Sequence, residues 1–135
     1  MQSFEISRQK DGTIIKAEGS TRPALLVAAL KGMSAAAGPE FAEPDDRRER
    51  TFAVSGADVP GLIKALLEKA LADSVEMNVA FDEIRFDLAA ADRLEGALTG
   101  LAVKSWSAPV KAITGVSEAA KGEDGLWRAT IRLSN

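Results

Sequence analysis

Gly19-Ser20-Thr21-Arg22-Pro23-Ala24-Leu25-Leu26 and Gly56-Ala57-Asp58-Val59-Pro60-Gly61-Leu62-Ile63 carry the same message twice, 37 residues apart. In each, a glycine closes a strand-like run and a short oxygen-bearing side chain stands where a helix N-cap belongs. A proline then falls in the first helical turn, where no intrahelical donor is needed. The match continues through Ala28 with Ala65 and Leu30 with Leu67, as expected of an internal repeat. Two strand-helix units are predicted.

In the first unit Gly12 to Glu18 reads as strand and Thr21 as cap, with a helix running to about Ala37. Leu26, Ala29, Leu30, Met33 and Ala37 form one apolar stripe, and Gly38-Pro39 stops the helix because proline disfavours helical geometry in the residue before it. In the second, Arg50 to Ser55 is the strand. Asp58 is the cap and adds negative charge at a helix N-terminus, and Ile63, Leu66, Leu67, Ala70 and Leu71 form the stripe. Between the units, Pro39 to Glu49 is acidic and aperiodic and reads as a mobile loop.

From Val75 onward the runs are short and β-prone: Glu76 to Phe81, Glu83 to Leu88 and Leu94 to Trp106, with turn signals at Asp92, Gly96 and Gly100. Two terminal runs, Val110-Lys111-Ala112-Ile113-Thr114 and Leu126 to Leu133, flank the polar linker Lys121 to Gly125. The expected fold class is α+β, with two amphipathic helices packed on a mostly antiparallel sheet of about six to eight strands. Residues 1–135 read as a single domain, a length that buries roughly two-thirds of the unfolded surface.

The chain has no cysteine and no histidine. Disulfides, thiolate chemistry, cysteine-type zinc sites and every Ser-His arrangement are thereby excluded, and an enzyme is not expected. Seventeen basic against 20 acidic residues give a net charge of -3, so tight direct nucleic-acid binding is not expected either. The one basic run, Arg47-Arg48-Glu49-Arg50, has Glu43, Asp45 and Asp46 beside it and reads as a solvated loop. Met1 to Ile6 lacks the pattern of a signal peptide, and no apolar run approaches the roughly 18 residues of a membrane span. A cytoplasmic protein without a membrane contact is expected.

The acids Asp82, Glu83 and Asp87 read as a solvent-facing turn, and Gly115, Gly122 and Gly125 lack the spacing of a phosphate loop. Trp106 and Trp127 read as packing residues rather than as a stacking platform. Lys111 is the one lysine inside the otherwise apolar run at 110–114. Strand alternation would put Val110, Ala112 and Thr114 on one face and Lys111 with Ile113 on the other, so Lys111 is either a solvated side chain or the remnant of an anion- or partner-binding site.

Gly96-Ala97-Leu98-Thr99-Gly100, the Val-Lys-Ala-Ile-Thr run at 110–114 and Gly125-Leu126-Trp127-Arg128-Ala129 come in an order that resembles the ending of archeases, the small accessory proteins of the RNA-splicing ligase. Ala17 to Thr21 and Asp58 to Leu71 resemble the family's turn before helix one and its leucine-rich second helix. The resemblance implies an archease-like fold and a non-enzymatic accessory role in RNA processing, such as tRNA splicing, through a protein partner, an RNA-splicing ligase. The other reading is a small protein-interaction module with no RNA-ligase link.

In the family, a His-Thr-Ala-Asp motif and an aspartate close to the C-terminus join the motif lysine around a metal. Here Gln9 and Gly12 fall at the histidine and aspartate positions and Ser134 at the terminal one. Asp11, one residue early, and Asn135 through a terminal carboxylate are the remaining metal candidates; Lys111 and Thr114 are the candidates for an anion or partner. No cofactor is expected, and a divalent cation is expected to bind only weakly.

Overall fold

The structure is a computed structural model that describes residues 2–42 and 46–135. Among them are eight strands and two helices. The strands are β1 (Gln2–Gln9), β2 (Gly12–Gly19), β3 (Pro39–Phe41), β4 (Arg47–Ser55), β5 (Val79–Ala89), β6 (Arg93–Trp106), β7 (Ala112–Lys121) and β8 (Trp127–Ser134), and the helices are α1 (Arg22–Ala36) and α2 (Val59–Met77).

Both predicted N-caps form. The Thr21 hydroxyl accepts from the Ala24 N–H at 3.1 Å and the Asp58 carboxylate from the Gly61 N–H at 2.8 Å, with proline in the first turn of each helix. Each cap satisfies one of the four amides that a helix start leaves without a partner.

The strands make two antiparallel sheets. One has the order β1-β2-β8-β7; in the other β6 is central and pairs with β3, β4 and β5. The helices pack between these partners: α1 touches β1, β2 and β8 of the first sheet and β5 of the second, while α2 touches β7 of the first and β4, β5 and β6 of the second. This explains why α1 exceeds its predicted stripe. Leu25 and Ala28 are buried along with Leu26, Ala29, Leu30 and Met33, as befits a helix with protein on more than one side.

Three local expectations are corrected. The segment Pro39 to Glu49 is not simply loop, because β3 and the start of β4 both ladder onto β6; Glu43 and Asp45 lie outside the described residues. The run from Glu76 is not strand at its start: α2 continues to Met77 and ends on Asn78 in the left-handed conformation (φ 56°), with the Ser74 hydroxyl donating to the Val79 carbonyl at 2.6 Å. Asparagine tolerates that geometry as a helix ending, so β-prone Val75 stays helical. Gly96 and Gly100 lie inside β6 rather than at turns.

The apolar core runs through both sheets, including Ile15 and Ile131 from the first, Phe81 and Leu98 from the second, and Leu30 and Leu66 from the helices. Trp106 and Trp127 are half-buried and pack against this core, as the packing reading expected.

Candidate functional site

Three distant segments meet at one corner: the turn between β1 and β2, the segment from Ser107 to Lys111 that leads into β7, and the end of β8. β1 and β2 pair from Gln9 opposite Gly12, leaving Lys10 and Asp11 as the turn. The buried Thr13 hydroxyl donates to the Asn135 side-chain oxygen at 2.8 Å. The other end of that carboxamide donates to the Ala108 and Pro109 carbonyls at 3.2 and 3.3 Å. The Lys111 N–H donates to the Ser134 carbonyl at 2.8 Å. Asn135 thus pins the corner by its side chain, which is a use the sequence did not suggest.

The turn, Ala108 and Asn135 enclose an open hollow of about 290 Å³. Arg8, Lys10 and Asp11 supply its charged side chains, and an Arg8 Nη1 donates to the Ala36 carbonyl at 3.2 Å, tying β1 to the end of α1. A second hollow of about 250 Å³ lies beside it, where Asp11 and Thr13 meet Thr114 and Arg132. Thr114 donates its hydroxyl to the Arg132 carbonyl at 3.1 Å.

Lys111 is exposed, and the alternation expected around it fails: Val110 and Ile113 are both buried, whereas Lys111, Ala112 and Thr114 are exposed. The cause is that β7 begins only at Ala112, so Val110 and Lys111 belong to the incoming segment and do not follow strand periodicity.

The ladder between β2 and β8 puts Thr13 opposite Leu133, so the next step brings Gly12 opposite Ser134. Gly12 has φ +153°, and a Cβ there would collide with the Leu133 carbonyl oxygen. No side chain fits at that position without moving β8. A divalent cation needs several oxygen ligands with carboxylates among them, yet Asp11 is the sole acidic side chain of the hollow, the Asn135 terminal carboxylate would add only one more, and no three His, Cys, Asp or Glu residues gather anywhere among the described residues. The residues present do not fit a divalent ion here.

Elsewhere the charges are spent on each other. Arg47 meets Asp82 at 2.9 Å, Arg48 meets Asp46 at 2.7 Å, and Arg50 meets Asp73 and Glu76 at 3.6 Å each. The basic run is therefore strand with acidic partners, where the sequence reading had a solvated loop. The hydrogen bond from Arg48 holds the Asp46 carboxyl below the usual carboxylate range, and the one that Arg47 donates to Asp82 raises its own guanidinium. Asp82 and Glu83 both face Arg47, and Asp87 faces Arg85, so these acids are not a free pair for proton transfer.

The model of the archease protein family (MTH1598/TM1083) matches residues 9–133. The chain belongs to the archease family. Among solved structures, the solution structure of Methanobacterium thermoautotrophicum protein 1598 resembles it with a TM-score of 0.66 at 20% identity, covering 98% of this chain and 98% of that one. That likeness extends the shared fold over β1, which lies ahead of the family match. No curated protein matches the chain. Among the described residues, no helix of this archease is long and apolar enough to cross a membrane.

Arg8, Lys10 and Thr13 went unnoticed in the sequence as site residues. Thr13 could have been suspected as the uncharged polar side chain of the strand Gly12 to Glu18, but its partner is 122 residues away, a distance that no local pattern spans.

Proposed function

We propose that this archease is a non-catalytic accessory protein that acts in the cytoplasm by contact with an RNA-splicing ligase. In this reading its activating role no longer runs through a bound divalent ion. One observation carries the second part: Gly12 and Ser134, which fall at the family's two aspartate positions, come opposite each other beside Lys111, so the frame persists and the acids do not. The ligase contact itself is supported by family membership. The exposed Lys111, with Thr114 at its margin, forms the surface through which that contact is made.

The test uses the purified protein with the RNA-splicing ligase of the same organism. Binding is expected in calorimetry with and without a chelator, and Lys111→Met weakens it about tenfold, as loss of one charge-assisted contact would. The melting midpoint of that variant stays near the parent's, because exposed substitutions act within about 0.5 kcal/mol. Absence of any binding would leave an interaction module with a different partner.

A further inference from the structure

We propose that the hollow between the β1–β2 turn and Asn135 is an oxyanion site that accepts a phosphate group. This deepens the reading of the corner given above and rests on its claim that no divalent ion is held there; it does not depend on the ligase.

The charge balance comes first. Arg8 and Lys10 line the hollow against the Asp11 carboxylate and the terminal carboxylate considered above for Asn135, so the hollow's own charges are balanced before Lys111 is counted. Lys111 adds a further cation next door, its backbone bonded to the residue before Asn135. Where a metal-bearing site would show positive charge through a bound ion, this one shows it directly through side chains, and guanidinium and ammonium donors match phosphate oxygens in geometry and strength.

The neutral groups of the hollow leave this role to the cations. The Thr13 hydroxyl is given to Asn135, and the Asn135 amide to Ala108 and Pro109. They fix the wall rather than compete for the ligand. Only one Arg8 bond is committed, to the Ala36 carbonyl, and a guanidinium has five N–H donors in all. The volume, about 290 Å³, admits a phosphate group with part of the molecule that bears it. Gly12 belongs to the same design: a side chain there would strike β8, so no further acidic side chain joins Asp11 at that position.

The experiment is an amide NMR titration of the whole chain with sodium phosphate, ionic strength being held constant with chloride. Saturable shifts are expected at Gly12, Thr13 and the Asn135 side-chain amide. Lys10→Gln weakens them about tenfold, one charge-assisted hydrogen bond's worth, while its thermal midpoint is unchanged. Asp11→Asn works in the opposite direction and tightens phosphate binding several-fold, whereas at a cation site the same change would weaken binding. Adenosine 5′-monophosphate tells a phosphoester from free phosphate: equal or tighter binding assigns an ester, weaker binding the free ion.

Shifts that do not saturate, or that Lys10→Gln leaves unaltered, would overturn the oxyanion site and leave the ligase reading intact. Line broadening of the same amides by equimolar manganese would overturn the loss of the metal as well.

Discussion

Asp73 is a carboxylate on the packed side of α2, with its side chain only 4% exposed. Its two cations are not buried to match: Lys69 and Arg50 are 37% and 34% exposed. The Lys69 ammonium directs its hydrogen bond to Oδ1 at 3.2 Å and also lies 3.0 Å from Oδ2, which has the nearby charge but no aligned donor. The cost of breaking such a group depends on which charge is stranded. Asp73→Ala strands two cations that can turn to water and is expected to cost about 1 kcal/mol. Arg50→Ala with Lys69→Ala strands the carboxylate in the packed layer and is expected to cost about 3 kcal/mol. Urea denaturation of the two variants checks the order; a larger loss from Asp73→Ala would mean that the cations are the desolvated partners. The heptad of α2 gave no hint of this, since Asp73 continues the spacing of Leu66 and Ala70 and would have been counted as an apolar position by period alone.

Among the elements, β5 and β6 show how a strand can hide from its own sequence. β5 slips register against β6 between Phe81 and Glu83 and again between Phe86 and Leu88. Gly100 and Gly96 stand opposite Phe81 and Phe86, at those two slips. A Cβ at Gly100 would collide with the Ala80 carbonyl oxygen, and one at Gly96 with that of Arg85. Glycine inside a strand marks a bulge or a close backbone approach. The sequence shows the same glycines as turn signals within the run Leu94 to Trp106, whereas they stand inside one continuous strand. Gly100→Ala is expected to destabilise the protein by about 2 kcal/mol or more, read from the urea midpoint at constant slope, because the blocking atoms are backbone and cannot swing aside. A change below about 0.5 kcal/mol would show that β5 can move away from β6. Helices were far more legible than strands here: cap, proline and stripe all lie within one turn or a few, whereas β3 is defined by its partner β6, far along the chain. Pairing also decided where β7 begins, and with it the exposure of Lys111.

At the scale of the molecule, the question is whether two sheets make one folding unit or two. The repeat at a spacing of 37 residues would suit two, since each strand-helix unit supplies a strand to a different sheet: β2 to the first and β4 to the second. Packing argues otherwise. α1 follows β2 yet also lies against β5, and α2 follows β4 yet also lies against β7, so neither sheet can open without stripping apolar contacts from both helices. Isolated helices of this length have little stability in water, and the loss would therefore spread across the domain. The two tryptophans fall one to each sheet, Trp127 in β8 and Trp106 in β6. Trp106→Phe leaves a reporter on the first sheet and Trp127→Phe one on the second, each at a position only half-buried. With the midpoints of each variant compared between tryptophan fluorescence and far-ultraviolet dichroism, the two probes are expected to coincide within each variant, as cooperative two-state unfolding requires. If fluorescence from Trp127 alone were to change at lower urea than the dichroism, the first sheet would be opening by itself, and the helices would belong to the second.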